Sequence, residues 1–319
     1  MNSKRFITTA LTALLGIGTG ALAQNVTVIV KATTSPYWQT VFAGAEAAAK
    51  ELGVKLTTQG AAEESDIAGQ ISILENAVTQ GPDAIVIAPT ALEPLGAPID
   101  RAAENIPIIM IDSAAQTEAY TSFLTTDNFA AGQLAADALA KAVEAQQGAA
   151  EGQIAILTAL PGVGSLSQRD EGFRDGLTKY PGLSEVANRF NNNDANQALS
   201  NTLDILVANP DLVGIFADNL PMGVGAGRAI AERGSEDQLT VIAFDSDDAE
   251  IEYLQGGQIK ALVVQNPYRM GYEGVKTAVA AVNGETVEKE IDTGVTIVTQ
   301  ENFDTQEVQE LLYPETRAQ

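Results

Sequence analysis

The feature that most constrains the fold of this chain is an internal repeat of about half its length. At a displacement of 128 residues, apolar and glycine positions coincide: Val26 with Ile154, Val28 with Ile156, Gly44 with Gly172, Ile71 with Leu199, and Val78 with Leu206. At a slightly larger displacement, the run ending in Asp112-Ser113 coincides with the run ending in Asp245-Ser246. A repeat of this length predicts two structurally related units within one chain.

Each unit alternates short β-branched runs with amphipathic helical segments. A strand begins at Val26, an amphipathic helix opens at Pro36, and the run from Ala84 to Ala88 is wholly apolar. Such runs are typical of parallel strands buried on both faces, and strand-helix alternation produces parallel sheets. We therefore predict an α/β fold of two similar doubly wound parallel-sheet lobes with a cleft between them. The predicted N-terminal lobe comprises residues 24–126 plus 266–294, and the predicted C-terminal lobe comprises residues 127–265 plus 295–319.

The first 23 residues have the pattern of a secretion signal. Lys4 and Arg5 give a positive start, no charged residue follows up to Ala23, and the stretch ends in the small-x-small pattern Ala21-Leu22-Ala23. A membrane anchor is the alternative, but a spanning helix needs about 20 mostly apolar residues, and threonines and glycines interrupt this stretch. We predict a signal peptide over residues 1–23, cleaved after Ala23, and a periplasmic protein that is not inserted in the membrane.

Composition excludes several classes of function. The chain has no cysteine and no histidine, which excludes disulfide scaffolds, thiol nucleophiles, imidazole metal sites and Ser-His-Asp catalysis. Its formal net charge of −24 repels nucleic acid and anionic membrane surfaces. We therefore expect no cofactor, no metal, no nucleic-acid partner and no enzymatic activity, although glycoside hydrolysis by carboxylates alone stays open.

Polar side chains follow the strands at corresponding places in the two units. Ligands of open parallel sheets bind beyond the carboxyl ends of the strands, so residues directly after each strand are candidates. Asp112 and Asp245 end corresponding strands, and a carboxylate can accept hydrogen bonds from two adjacent hydroxyls. The alternative is that each aspartate only caps the helix that follows it.

Other candidates stand beside these strand ends or at helix starts. Trp38, next to Tyr37, offers a flat ring for the face of a sugar, and it could equally be core filler. Arg169 offers a fork of donors, or else pairs with a neighbouring acid at the surface. Asn219 and Gln265 follow strands and can both donate and accept, although either could be an ordinary turn residue.

The glycine-rich run Gly223-Val224-Gly225-Ala226-Gly227 is similar to part of a dinucleotide-binding fingerprint. In that fingerprint the phosphate loop begins directly after a strand. Here Pro221 favours a helix start before the glycines, which indicates close helix packing instead.

Several stretches together resemble the type I periplasmic binding proteins of bacterial sugar ABC importers, most closely the ribose- and allose-binding branch. The matching stretches are Val30 to Trp38, Thr125 to Asn128, Arg169 to Phe173, Phe216 to Asn219, Phe244-Asp245 and Val264 to Pro267. Carried over by position, the resemblance implies sugar contacts from Lys31, Ser35, Tyr37, Trp38, Asp112, Ser113, Arg169, Asn193, Asn219, Asp245 and Gln265. Ser113 and Asn193 depart from the family pattern, which implies a roomier and more polar pocket on their side.

The resemblance implies a monomeric receptor that closes its lobes over a monosaccharide or polyol and delivers it to the permease of an ABC importer. Two alternatives stay open. One is a receptor for a small furanosyl signal on the same fold, and the other is a sugar-acting enzyme that uses Asp112 and Asp245. A sugar-responsive repressor is less compatible, because a secretion signal occupies the place of its DNA-binding segment.

Overall fold

The structure of the protein is a computed structural model that describes residues 23–314. The predicted signal peptide, apart from Ala23, lies outside the described residues, as does the chain after Pro314. The strands are β1 Asn25–Ala32, β2 Lys55–Ala61, β3 Ala84–Ile87, β4 Ile108–Ile111, β5 Ser122–Thr125, β6 Gly152–Thr158, β7 Leu183–Phe190, β8 Leu212–Ala217, β9 Thr240–Phe244, β10 Ala261–Gln265, β11 Glu290–Asp292 and β12 Val295–Val298. The helices are α1 Pro36–Leu52, α2 Ile67–Gln80, α3 Gly96–Ala103, α4 Asn128–Gln147, α5 Gly164–Leu177, α6 Ala195–Ala208, α7 Leu220–Arg233, α8 Asp248–Gln255, α9 Pro267–Val282 and α10 Gln306–Leu312.

The strands form two six-stranded sheets, ordered β11-β5-β4-β3-β1-β2 and β12-β10-β9-β8-β6-β7. Each sheet with its helices is called a lobe below, the first lobe being the one that contains β1. Neighbouring strands run parallel except β10 and β12, which pair antiparallel at the edge of the second sheet. This architecture confirms the predicted pair of doubly wound parallel-sheet lobes.

Helices cover both faces of each sheet, which explains the wholly apolar strands. In β1, Val28 and Val30 belong to the core cluster on one face of the first sheet, whereas Ile29 belongs to the cluster on the other. Successive side chains of a strand point to opposite faces, so both sets must be apolar when both faces are buried. Two core clusters likewise flank the second sheet.

Glycines let helices approach backbone to backbone at equivalent places in the two lobes. A Cβ on Gly44 of α1 would lie 2.0 Å from the carbonyl oxygen of Tyr268 in α9. A Cβ on Gly172 of α5 would lie 2.0 Å from the carbonyl oxygen of Phe129 in α4. Because Gly44 and Gly172 coincide in the sequence repeat, the repeat specifies one helix-helix contact twice.

The chain passes between the two sheets three times. It leaves the first sheet after β5, returns to it after β10, and leaves it again between β11 and β12. Strand β5 hydrogen-bonds within the first sheet, whereas α4, directly after it, packs on β8 and β9 of the second. The strands that these connections join, β5 and β11 in the first sheet and β10 and β12 in the second, lie at one edge of each sheet, so the lobes are joined at these edges.

The glycine-rich run lies inside α7, which begins at Leu220 with Pro221 in its first turn. A Cβ on Gly225 would lie 2.6 Å from the carbonyl oxygen of Ala195, and one on Gly227 would touch the ring of Tyr253. The interpretation as close helix packing is therefore confirmed. Within residues 23–314, no helix has both the length and the apolar composition needed to cross a membrane.

Candidate ligand-binding site

The two strand-end aspartates share an unusual backbone conformation. Asp112 follows β4 with φ of 63°, and Asp245 follows β9 with φ of 75°. Residues other than glycine seldom adopt this left-handed region, and those that do concentrate at binding and catalytic sites. Both aspartates line the same cavity between the lobes. The chain therefore holds an equivalent strained turn in each lobe, and the two turns place their carboxylates in one shared space.

The cavity lies between the lobes, and its walls come from both of them. It is lined by the predicted residues Lys31, Ser35, Tyr37, Trp38, Asp112, Arg169, Asn219, Asp245 and Gln265. It is also lined by Glu64, Val163, Ser165, Leu166, Leu220 and Pro221. Lys31, Arg169, Asp112 and Asp245 are almost fully buried, with Lys31 only 3% and Arg169 only 2% exposed. Hydrogen bonds made inside such a cavity are shielded from competing water.

In the first lobe, a buried ion pair anchors Asp112. Lys31 Nζ lies 2.6 Å from Asp112 Oδ2, and the Tyr37 hydroxyl donates to Asp112 Oδ1 at 3.1 Å. Ser113 Oγ donates to Asp112 Oδ2 at 2.9 Å. Burial by itself would raise the pKa of Asp112, but Lys31 and Arg169 together hold it below its ordinary value. Asp112 is therefore an anion, and these partners occupy three of its roughly four acceptor positions.

Asp245, in the second lobe, has fewer protein partners. Its Oδ1 accepts from Gln265 Nε2 at 2.6 Å, and its Oδ2 accepts from the backbone N–H of Leu220 at 3.1 Å. About two acceptor positions therefore stay open toward the cavity. Burial raises the pKa of Asp245, because Arg169 and these hydrogen bonds offset only part of the desolvation. Gln265 Oε1 is buried without a hydrogen-bond partner and offers a further acceptor.

Arg169 is fixed in the second lobe, in the second turn of α5. Its Nε donates to Asn128 Oδ1 and its Nη1 to the carbonyl oxygen of Asp218, both at 2.8 Å. Its guanidinium carbon lies 4.1 Å from the centre of the Phe244 ring. These contacts hold the guanidinium plane and engage two of its five N–H groups, so several donors remain for a ligand.

The aromatic pair at the start of α1 forms the apolar wall. Trp38 is only 2% exposed and packs edge-on against Tyr37, with ring centres 4.8 Å apart. The indole Nε1 donates to Glu64 Oε1 at 2.6 Å. Burial, followed by the charges of Asp112 and Asp245, raises the pKa of Tyr37 well above its ordinary value, so its hydroxyl stays a donor. Trp38 is thus both part of the core and part of the cavity wall.

Two predicted residues stand outside the cavity lining. Ser113 lies beside it, accepting from Lys31 Nζ at 2.7 Å and meeting Ser165 Oγ across the cleft at 2.7 Å. Asn193 lines a second, outer cavity at the mouth of the cleft, and its Oδ1 accepts from Asn219 Nδ2 at 2.7 Å. Each therefore contacts a residue that lines the cavity, Lys31 for Ser113 and Asn219 for Asn193.

The sequence reasoning missed Glu64, Ser165 and Leu166 as cavity residues. The repeat itself contained a signal for two of them, because its displacement places Tyr37 on Ser165 and Trp38 on Leu166. Glu64 lies three residues after Ala61, the last residue of β2. The rule that selects residues after strand ends includes Glu64 once the end of β2 is known.

The lobes are in contact across the cleft. Besides the hydroxyl pair of Ser113 and Ser165, the backbone N–H of Leu92 donates to the carbonyl oxygen of Gly162 at 2.9 Å. Leu220 of the second lobe packs into the core cluster that contains Trp38 of the first. The conformation is therefore a closed one, in which anything held in the cavity is enclosed by both lobes.

The arrangement is suited to binding rather than to metal chemistry. Within residues 23–314, no group of three or more acidic side chains is placed to hold a metal ion. The cavity combines carboxyl acceptors on Asp112, Asp245 and Glu64 with donors on Lys31 and Arg169. Hydroxyl groups both donate and accept, so such a wall matches an uncharged ligand rich in hydroxyls. Two lobes that close over such a cavity define a cleft-closing solute-binding protein.

Comparison with known proteins gives the same class. A family model described as a periplasmic binding protein domain matches residues 26–286, and the chain belongs to this family. A carbohydrate transporter solute-binding protein from Agrobacterium radiobacter, solved with D-arabinose, is 50% identical with a TM-score of 0.91, over 92% of this chain and 99% of that one. An ABC transporter solute-binding protein from Agrobacterium vitis, solved with D-fucose, is 40% identical with a TM-score of 0.86, over 91% and 100%. The ribose import binding protein of Haemophilus influenzae is 27% identical over 92% of this chain and 98% of its own length. These similarities confirm the resemblance to sugar-binding proteins of ABC importers.

Proposed function

We propose that this protein captures a monosaccharide or polyol by lobe closure and delivers it to the permease of an ABC importer, without catalysing a reaction. The observation that carries the proposal is the shared cavity, in which Asp112 and Lys31 of one lobe face Asp245 and Arg169 of the other. Because the ligand touches both lobes only when they are closed, it must favour the closed state. A permease that recognises the closed form would then receive only loaded protein.

The size and charge of the cavity favour a small uncharged ligand. Most of the side chains that line the cavity are buried between the lobes, so a long chain could not be enclosed without holding the lobes apart. Lys31 and Arg169 lie among three acidic side chains, and burial raises the pKa of two of them, Asp245 and Glu64. An anionic ligand would add a further negative charge to this cavity, and burying an unpaired charge is costly. A monosaccharide fits both conditions, and solved relatives hold D-arabinose and D-fucose.

The proposed ligand contacts are the eleven residues predicted from the sequence, in two groups. Direct contacts are proposed for those that line the cavity, namely Lys31, Ser35, Tyr37, Trp38, Asp112, Arg169, Asn219, Asp245 and Gln265. Ser113 and Asn193 are proposed to act by orienting Lys31 and Asn219.

The division into lobes and the cellular location belong to the same proposal. A first lobe of residues 24–126 plus 266–294 and a second of residues 127–265 plus 295–319 are supported by strand membership, since β11 lies in one sheet and β12 in the other. Secretion to the periplasm with cleavage after Ala23 is supported by the sequence pattern of the N-terminus and by the family. We propose that the mature protein acts as a monomer.

Isothermal titration of the mature protein with a sugar panel tests the proposal. The panel contains D-arabinose, D-fucose, D-ribose, D-allose, common polyols and a furanosyl signal molecule. About eight hydrogen bonds at roughly 0.5–1.5 kcal/mol each, less the cost of closure, predict about −8 kcal/mol, which is a micromolar affinity. Recovery of the sugar unchanged excludes the enzymatic alternative. The absence of a measurable heat of binding for every pentose, hexose and polyol would contradict sugar binding.

A further inference from the structure

Four residues of the described part of the chain line both the inner cavity and the outer cavity at the mouth of the cleft, and Glu64 is the one among them with an ionisable side chain. It lies in the loop between β2 and α2 and lines the inner cavity. It also lines the outer cavity at the mouth of the cleft, together with Ser35 and Leu220. Glu64 therefore lies between the inner cavity and its entrance. It follows β2, which is at the edge of the first sheet opposite the connections between the lobes.

Glu64 is held in place by one hydrogen bond to its carboxyl group and one to its backbone. Its Oε1 accepts the indole N–H of Trp38 at 2.6 Å, and its backbone carbonyl oxygen accepts the Thr90 hydroxyl at 2.5 Å. Thr90 is fixed in turn, because its backbone N–H donates to Gln70 Oε1 at 2.8 Å. A side chain fixed in this way gives a hydrogen bond of defined direction, which selectivity requires.

Glu64 retains acceptor capacity after these contacts. A carboxylate has about four acceptor positions, and the indole N–H of Trp38 takes one of them. Lys31 is near enough to stabilise a negative charge on Glu64, but burial outweighs it and raises the pKa of Glu64 above its ordinary value. A ligand hydroxyl that donates to Glu64 would relieve part of this desolvation, so the contact favours hydroxyl donors in particular.

We propose that Glu64 is a third ligand-binding carboxylate, which selects sugars that present a hydroxyl donor toward the mouth of the cleft. The proposal rests on the proposed sugar-binding function and makes it more specific. Asp112 and Asp245 accept hydrogen bonds from sugar hydroxyls at the strand ends, whereas Glu64 accepts one from a hydroxyl on the opposite edge of the sugar ring. A sugar that lacks this hydroxyl, or carries a methyl ether there, binds less tightly.

The test is a double-mutant cycle between the protein and the sugar. The probe is whichever of D-arabinose, D-fucose, D-ribose and D-allose binds the wild type most tightly, together with its monodeoxy analogues. Glu64→Gln keeps the size of the side chain and an oxygen for the indole, and Glu63→Gln changes an exposed acid one residue away as the matched control. Affinities are measured by isothermal titration, and the emission of Trp38, the single tryptophan, reports whether its surroundings are kept.

The proposal predicts that Glu64→Gln lowers affinity for the intact sugar about tenfold or more. It also predicts that the same substitution lowers the affinity for one deoxy analogue much less, because the hydroxyl that would bind Glu64 is already absent from that analogue. Glu63→Gln binds all of the sugars like the wild type. Equal losses for every analogue, or no loss at all, would show that Glu64 serves only to hold Trp38, and would overturn the proposal. If the wild type binds none of the sugars, the proposed sugar-binding function is wrong, and the proposed role of Glu64 is wrong as well.

Discussion

The two strand-end aspartates are equivalent in the repeat but should respond in opposite ways to neutralisation. Asp112 pairs with the buried ammonium of Lys31, whereas Asp245 faces only a glutamine and a backbone amide at hydrogen-bond distance. Removing one partner of a buried ion pair costs about 3–5 kcal/mol, because the other charge is left uncompensated. At about 2–4 °C per kcal/mol for domains of this size, Asp112→Asn should lower the Tm of the ligand-free protein by roughly 6–20 °C.

Asp245→Asn should behave differently. Burial raises the pKa of Asp245, so the fold already penalises its charged form, and a neutral amide removes that penalty. We expect the Tm of this variant to stay within a few degrees of the wild type, or to rise. Both variants should still bind sugar at least tenfold more weakly, because each loses an acceptor in the cavity.

The direction of the pH dependence adds a second check. Lys31 and Arg169 lower the pKa of Asp112, so the stability it contributes is present above its ordinary pKa of 3.8 and is lost as pH falls through the lowered value. The Tm difference between wild type and Asp112→Asn should therefore be full at pH 7 and should shrink below about pH 4.

Differential scanning calorimetry without ligand measures these differences, and titration with the sugar from the panel measures the affinities. The control is Lys31→Met in the Asp112→Asn background, which removes the uncompensated charge and should restore most of the lost Tm. Equal Tm losses for the two aspartate variants, or no recovery in the double variant, would refute the assignment of the buried pair.

Three further outcomes follow from other contacts. Glu250 is fully buried with both carboxyl oxygens unpartnered, and burial raises its pKa well above the ordinary value. The folded protein therefore loses stability as rising pH ionises this group. Glu250→Gln should raise Tm at pH 8 but not at pH 4 in melting curves. Gly172→Ala places a Cβ 2.0 Å from a carbonyl oxygen of α4 and should cost about 1–3 kcal/mol in urea unfolding, whereas an unchanged midpoint would contradict the close contact. Ser165→Ala removes the hydroxyl that meets Ser113 across the cleft and should weaken sugar binding about fivefold by titration, while the exposed Ser167→Ala on the same helix should not.

Much of the fold is contained in the hydrophobic pattern and the repeat. The buried strands β3 and β4 and the helix that begins near Pro221 are local patterns, so they can be read one segment at a time. Errors occur where the pattern is weak. The end of β2, Gln59-Gly60-Ala61, has no alternation and is held in the sheet by its pairing with β1, which a local pattern does not show.

The residues of the candidate site also differ in whether the sequence alone can identify them. Asp112 and Asp245 are identified because their positions repeat along the chain. That Lys31 would neutralise Asp112 is not visible in the sequence, because the contact joins the ends of β1 and β4, and these strands are separated in the sheet by β3. The prediction of Asn193 as a contact depends on family position alone, and the structure has Asn192 and Asn193 in left-handed backbone conformation, lining the outer cavity.

The pairing with Lys31 also has a consequence for how a ligand is oriented. A repeat that supplied two equal aspartates would let a sugar with similar edges bind in either of two directions. Because Asp112 has about one acceptor position left and Asp245 about two, the edge with two adjacent hydroxyl donors is better satisfied at Asp245. The lysine thus turns a symmetric scaffold into an asymmetric site, and sugars with only isolated hydroxyl donors should bind more weakly than those with a vicinal pair.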